Sequence, residues 1–260
     1  MNKIKITVIT ITYNAENVIV RTLDSVLKQT FPDIEHLIID GASNDKTVSI
    51  ATEYELRSSS ANNGHEIKIT SEPDNGLYDA MNKGINKASG NYLVFLNAGD
   101  AFPSSSTLET IASMVGEGEE LPGVLYGNTD IVDDNGTFLR HRRLSPPSHL
   151  SWRSFLHGML VCHQAFYART DIAKRNNYDL HYKLSADIDW CIRVMKDAKR
   201  NNLPLRYVDT VVVNYLEGGM SIKNHKESLK ERYHIMCRHY GFITTTFMHL
   251  WFVFRGILQK

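Results

Sequence analysis

Acidic and amide side chains gather in two short loops of this chain. Glu72 and Asp74 stand in Ser71–Gly76, and Asn97-Ala98-Gly99-Asp100 follows the apolar run Tyr92–Leu96 without a break. Carboxylates held together raise each other's pKa and repel, so a cluster of them calls for a positive partner. Oxygen donors of this kind suit Mg²⁺ or Mn²⁺. A further acid, Asp40, ends the run Glu35–Ile39 and leads into Gly41-Ala42-Ser43-Asn44-Asp45. Taken singly, Asp40-Gly41 and Pro73-Asp74-Asn75-Gly76 are ordinary turn sequences. Their order, each just past a strand, gives them weight.

The elements that must position these residues alternate. Ile4–Thr12 is β-branched and apolar on both faces, as a central parallel strand requires. Asn14 is placed to cap a helix carrying Ile19, Leu23, Val26 and Leu27, closed by Phe31-Pro32. Glu35–Ile39 is a second strand, and Ser43 or Asn44 caps a helix through Val48, Ala51 and Leu56. Arg57–His65 reads as a polar loop, Ile67–Thr70 as a third strand, Leu77–Ala88 as a helix and Tyr92–Leu96 as a fourth strand. Four such alternations predict an α/β fold with a parallel sheet and right-handed crossovers. Ligands of open α/β sheets bind past the carboxyl ends of the strands. Thr10–Asn14, Asp40 and Asn97–Asp100 would line that edge.

No GxGxxG follows the first strand and no GxxxxGK[ST] occurs, so the dinucleotide fingerprint and the P-loop are both absent. Asp40 can accept from a base N–H, Tyr13 offers a face for stacking, and a cation near residue 100 can hold a diphosphate. That set describes a sugar nucleotide better than a free sugar. Lys plus Arg equals Asp plus Glu, 29 each, so no global field points at nucleic acid. Cys162, Cys191 and Cys237 form no CxxC pair, which argues against zinc and suits a reducing compartment. The start, MNKIKITVITITYN, enters a strand without a signal-peptide core, and no run of about 20 apolar residues occurs. A cytoplasmic location is expected.

The pattern changes near residue 120. Val124–Val132 and Thr137–Arg142 flank Asp133-Asp134-Asn135-Gly136, a hairpin signal. Leu160–Tyr167 reads as extended, Asp187–Lys199 as a helix and Leu205–Asn214 as a strand. Gly218-Gly219 opens a flexible loop, and the chain is helical from His225. The stretch from Lys223 to Lys260 holds seven Lys/Arg against two Glu. Phe247, Leu250, Trp251, Phe254 and Leu258 follow helical spacing there. Either this helix packs on the domain, or it lies on an anionic membrane surface.

Five segments together resemble the family 2 glycosyltransferases, with a GT-A type fold. They are TVITITYNAENVIVRTLDSVLKQTF, IIDGASNDKT, SEPDNGLYDAMNKGINKASGNYLVFLNAGD, CHQAFYAR and SADIDWCIRV, in the family's order over roughly residues 4–200. The resemblance implies a Rossmann-like nucleotide-binding half with a mixed central sheet, followed by C-terminal helices. It implies a catalytic domain over 1–222, divided into a nucleotide-sugar half (1–120) and an acceptor half (121–222), with 223–260 as a helical tail. It implies inverting transfer from a nucleotide diphosphate, usually of uridine, to a hydroxyl of a saccharide or a lipid-linked saccharide. Thr10, Thr12, Tyr13 and Asn14 then border the base, which Asp40 binds. Asp74 and Lys83 lie near the nucleotide and its diphosphate. Asn97-Ala98-Gly99-Asp100 falls on the metal motif DxD but departs from it, keeping only Asp100 as a carboxylate.

Ala186-Asp187-Ile188-Asp189 falls on the family's Glu-Asp-x-Asp segment, with Ala for Glu, and the resemblance makes Asp187 the general base. A sugar hydroxyl is a poor nucleophile until a carboxylate takes its proton. Asp189, two residues on, faces elsewhere on a helix. His163, Gln164, Asp189 and His225 are weaker candidates for sugar, acceptor or phosphate contacts. The loop Gly218–Ser221 resembles a segment closing over the donor, and Lys223 would then reach phosphate. Two rivals remain at this level: a nucleotidyltransferase, and a nucleotide-sugar-binding protein without turnover.

Overall fold

The computed structural model describes residues 4–116, 121–218 and 224–258. Four strands open the chain: β1 (Ile6–Thr12), β2 (Ile34–Asp40), β3 (Glu66–Ser71) and β4 (Tyr92–Phe95). The helices α1 (Ile19–Leu27), α2 (Thr47–Ala61), α3 (Leu77–Lys87) and α4 (Thr107–Val115) follow them in turn. The strands pair parallel in the order β3-β2-β1-β4, as the alternation predicts. Every residue of β1 and β2 is buried, so their faces must be apolar or internally bonded. Gly84 lets α3 lie close on β1, since a Cβ there would come within 2.5 Å of Ile9 Cγ2.

The second half makes the sheet mixed. It contributes β5 (Val124–Val132), β6 (Phe138–His141), β7 (Phe166–Arg169) and β8 (Leu205–Leu216). The hairpin expected around Asn135-Gly136 is the antiparallel pair β5–β6. Strand β7 runs antiparallel between β4 and β5, and β8 lies parallel along the other edge of β5. Beyond β7 come α5 (Thr170–Arg175), α6 (Ala186–Arg200), α7 (His225–Tyr240) and α8 (Phe242–Leu258).

An aromatic stack locks α6 beneath the sheet. Tyr178 lies between Trp190 and Tyr78, with ring centroids 5.0 and 5.2 Å away. Phe95 of β4 meets Trp190 edge-on at 5.8 Å. Such pairs each add about 0.5–1.5 kcal/mol beyond the area they bury. Trp190 lies three residues past Asp187 on the same helix, so the stack fixes where that carboxylate emerges.

Several local expectations are corrected. Asn14 caps no helix: α1 starts at Ile19 without a side-chain cap, and Asn14 takes a left-handed φ of 48°. Neither Ser43 nor Asn44 caps α2; Asp45 Oδ1 accepts the Thr47 N–H instead. The expected loop over 57–65 is helical to Ala61, with the Ser59 and Ser60 hydroxyls satisfied locally on the carbonyls of Glu55 and Leu56. Asn62, left-handed, ends it. Within Leu160–Tyr167, His163–Ala165 form a 3₁₀ turn before β7. Helices α4 and α5 had no counterpart in the sequence reading. Of the closing loop expected over Gly218–Ser221, all but Gly218 lies outside the described residues, as does Lys223.

Candidate active site

The strand ends expected to share an edge do share it. Thr12 pairs in register with Asp40, and β1 lies between β2 and β4. The two loops above β1 and β2 are stitched together. Asn14 donates its N–H to Ser43 Oγ at 2.8 Å, and its Oδ1 accepts the Asn44 N–H at 2.9 Å. Ala15 N–H reaches Thr47 Oγ1 at 2.8 Å. This clasp presents Tyr13, 62% exposed, as an open aromatic face. A Cβ on Gly41 would sit 2.5 Å from Asp74 Oδ2 and 3.4 Å from Tyr13 Cδ2, so glycine alone lets these three meet.

Asp40 is buried. Its carboxylate accepts Ser43 N–H at 2.9 Å and Ser71 Oγ–H at 2.6 Å, and the Ser43 hydroxyl as well. Asp74 Oδ1 accepts the Gly76 N–H, which shapes the loop before α3. Lys83 donates to the Pro73 carbonyl at 2.8 Å and pairs with Glu72 at 3.2 Å, fastening the same loop. Thr10 is not a pocket wall. It is fully buried, bonded to His36 at 2.9 Å and to the Leu96 carbonyl at 2.8 Å. Thr12 Oγ1, by contrast, is buried without a partner.

The turn after β4 explains its departure from DxD. Gly99 has φ +100°, and a Cβ there would strike Leu216 Cδ2 at 2.6 Å. An acid at position 99 has no room and the wrong backbone. Arg21 grips the Gly99 carbonyl, and Thr22 accepts its N–H, so the turn is rigid. Asp100 is 3% exposed; it accepts Leu216 N–H at 2.9 Å and Gln164 Nε2–H at 3.1 Å. Burial outweighs these bonds and pushes its pKa up to about 6. Among the described residues no group of three His, Cys, Asp or Glu is arranged around a cation. The oxygens that fit one are Asn97 Oδ1, buried and unpartnered, and the unused lone pairs of Asp100. Two hard donors suit Mg²⁺ or Mn²⁺ when phosphate and water complete the shell.

His163 ties this turn to α6. Asn97 Nδ2 donates to His163 Nε2 at 3.1 Å, which leaves the ring proton on Nδ1. That nitrogen lies 3.5 Å from Asp187 Oδ2. Burial alone would raise the Asp187 pKa. The His163 contact, the positive charge of Arg232 and the Ile188 N–H outweigh it and hold the carboxyl below its usual range. Asp187 is therefore an ionised, largely enclosed carboxylate. Asp189 takes the other side of α6: fully buried, it is held by Arg193 at 2.6 Å and His239 at 2.7 Å. It serves structure. His225 opens α7, exposed and without polar contacts among the described residues. A separate cleft of about 620 Å³, lined by Arg21, Lys28, Phe102 and Asp134, holds neither Asp40 nor Asp187. The convergence of acid, base and orphaned oxygens, not volume, marks the candidate site.

Sequence reasoning missed Glu231, which binds the loop before Asp187, and Arg232 beside it. Helical periodicity gave no reason to distinguish either from a solvated face.

The fold is that of the GT-A glycosyltransferases. S. aureus TarS residues 1–349, solved with UDP-GlcNAc, superimposes with a TM-score of 0.69 at 20% identity, over 89% of this chain. The chain spans 64% of that 1–349 segment and 40% of the longer TarS chain. Glucosyl-3-phosphoglycerate synthase of Mycobacterium tuberculosis, solved with Mn²⁺, UDP and glucosyl-3-phosphoglycerate, gives 0.61 at 16% identity over 90% of this chain and 80% of that one. Residues 7–175 match glycosyl transferase family 2, and the chain belongs to that family. A PGL/p-HBAD biosynthesis glycosyltransferase of Mycobacterium bovis is 34% identical over 216 residues, 81% of this chain and 76% of that protein. The chain is thus a glycosyltransferase.

Proposed function

We propose that this enzyme transfers a hexosyl or N-acetylhexosaminyl group from a UDP-linked donor to an acceptor hydroxyl, with inversion, in polysaccharide or glycolipid synthesis. The observation that carries the reading is the chain Asn97–His163–Asp187. It supports the reading by holding an ionised carboxylate next to the turn after β4, on the edge to which this reading assigns the nucleotide. In this reading the base stacks on Tyr13 over Gly41, with Asp40 and Asp74 beneath it. Asp187 accepts the hydroxyl proton while that oxygen bonds to C1 and the C1–O bond to diphosphate breaks. His163, donating from Nδ1, keeps the carboxylate ionised and aimed. Asn97 and Asp100 would hold a divalent cation, whose chemistry is to neutralise the departing diphosphate.

The test is UDP release from a panel of UDP-, GDP- and dTDP-sugars, with and without Mn²⁺. A UDP-sugar turned over slowly, faster with Mn²⁺, and about 10³-fold slower in Asp187→Asn is the expected outcome. Equal rates in wild type and Asp187→Asn remove the base from its role. Donor binding without turnover in either would favour a binding protein, a reading the reduced metal motif alone supports.

The same reading brings the acceptor from an anionic lipid surface. Supporting it, Ile243, Phe247, Leu250, Trp251 and Phe254 recur at i, i+4, i+7, i+8 and i+11 on one face of α8, each 51–71% exposed. No acid lies on that helix, and no described helix is long and apolar enough to cross a membrane. Flotation with phosphatidylglycerol vesicles, abolished by Trp251→Ser with Phe254→Ser, is expected. Recovery in the unbound fraction throughout would refute it.

A further inference from the structure

The helix that carries Asp187 has no cap of its own. Ser185 occupies the N-cap position, yet its side chain makes no cap bond. Its hydroxyl turns instead to Ser228 Oγ of α7, 3.0 Å away in a buried contact. The chain before it, Lys183-Leu184-Ser185, points three successive N–H groups in one direction. All three end on a single carboxylate, Glu231 of α7. Lys183 N–H meets Oε1 at 2.8 Å, while Leu184 and Ser185 N–H meet Oε2 at 2.8 and 2.9 Å. Bonds of this kind, to a charged acceptor, are about twice as strong as neutral ones. A negative charge at a helix N-terminus also complements its dipole.

The position of Glu231 matters because of what lies at 186. The family pattern puts a glutamate immediately before the base, and this chain has Ala186, fully buried. The carboxylate that meets the start of α6 in this chain belongs to a different helix, some 45 residues later in the chain. Next to it, Arg232 is one of the charges that hold Asp187 ionised, and its Nε is buried without a partner. Helix α7 is itself well seated: Ser228, Ile235 and Met236 are buried. Tyr240 stacks on Trp152 at 5.5 Å.

We propose that Glu231 is a positioning residue for the transfer reaction: by gathering the N–H groups of Lys183, Leu184 and Ser185 it sets the origin of α6 and so the place of Asp187 against His163. The proposal rests on Asp187 being the base. It makes α7 a working part of the active site. Donor binding, which depends on the loops after β1, β2 and β3, lies outside its reach. A displacement of about 1 Å at a reacting group can cost on the order of 10²-fold in rate, and the 3.5 Å spacing of His163 and Asp187 leaves little slack.

The test compares wild type, Asp187→Asn, Glu231→Ala and Glu231→Gln in the full chain. UDP affinity by calorimetry and donor turnover across pH are both measured. Glu231→Ala is expected to lower kcat about 10²-fold, with UDP affinity and donor KM within about twofold of wild type. Glu231→Gln retains one acceptor oxygen and is expected to fall between. In both, the acid limb of the kcat profile moves up, as Asp187 loses its close imidazole. If Asp187→Asn is inactive while both Glu231 variants keep wild-type kcat, the positioning role is wrong and the base stands. If Asp187→Asn is active, the base itself is wrong. If Glu231→Gln loses UDP binding along with turnover, Glu231 merely holds the fold, and the proposal falls.

Discussion

Glu35 and Asp100 are both carboxyl groups buried in one sheet, and their ionisation is driven in opposite directions. Glu35 sits at the amino ends of the strands. Thr7, the Ser89 N–H and the Ser89 hydroxyl each reach it at 2.7 Å, and Lys68 at 2.9 Å. Burial works against the charge, but the Ser89 N–H, Lys68 and the two hydroxyls outweigh it and hold the pKa at about 2. Asp100 sits past the carboxyl end of β4 with two donors, and there burial wins. At the Glu35 end the acid is chemically finished, and one buried hydroxyl, Thr170 Oγ1, lacks a partner. The other end keeps a poorly compensated acid, the unpartnered Thr12 Oγ1 and the unpartnered Asn97 Oδ1. Buried polar groups in folded proteins are nearly always paired. What distinguishes the Asp100 end is that its two open oxygens lie beside an undercompensated acid, a set that a bound ligand would complete.

This contrast can be broken or sharpened by experiment. The largest effect is expected at the Glu35 end. Glu35→Gln replaces a buried carboxylate oxygen by an amide N–H₂ facing the Thr7 and Ser89 donors and should lower stability by about 3 kcal/mol, read from urea unfolding, with kcat per folded molecule unchanged. Next, Asp100→Asn should lower turnover about 10²-fold and leave the ligand-free protein at least as stable as wild type at pH 8. A loss of stability there would make Asp100 a second Glu35.

The pH dependence separates the two acids within one protein. Glu35 has a depressed folded pKa, so its contribution is present above about 4.5 and is lost as pH falls toward 2. Asp100 has a raised folded pKa, so stability is lost as pH rises from about 4 through 6. Each step should be about 1–3 kcal/mol. UDP-sugar with Mn²⁺, or Asp100→Asn, should flatten the second step and leave the first. The smallest effect is expected at Tyr13. Its ring is open to solvent, and Tyr13→Ala should weaken UDP by about tenfold, roughly 1.4 kcal/mol of lost stacking, without changing stability.

The first half of the fold was legible because it repeats one pattern. The β-branched runs at Ile6–Thr12 and Ile34–Asp40 admit only a buried strand, and their ends had to share an edge. Helix α4 escaped notice although Leu108, Ile111 and Val115 have the right spacing, because Pro103-Ser104-Ser105-Ser106 reads as loop. The serine run of α2 misled for the same reason: serine serves turns and helix surfaces alike. Asp40 and Asp74 could be picked out by position at strand ends, and Asp187 through the family resemblance. Which polar residues are used up by the fold could not. Thr10 and Thr12 stand on one strand two apart, yet one is spent on His36 and the other is free. Glu231 is invisible for a related reason. Its partners are backbone N–H groups, which carry no residue code.

The three tryptophans sit at three depths of this arrangement. Trp190 is sealed in the stack under Asp187, Trp152 lies flat against Tyr240 with Lys196 over its ring at 4.5 Å, and Trp251 is half in solvent on α8. The enzyme thus contains its own optical probes. Emission from the second reports the docking of the C-terminal helices, and emission from the third reports a change of solvent, each without a label and during turnover.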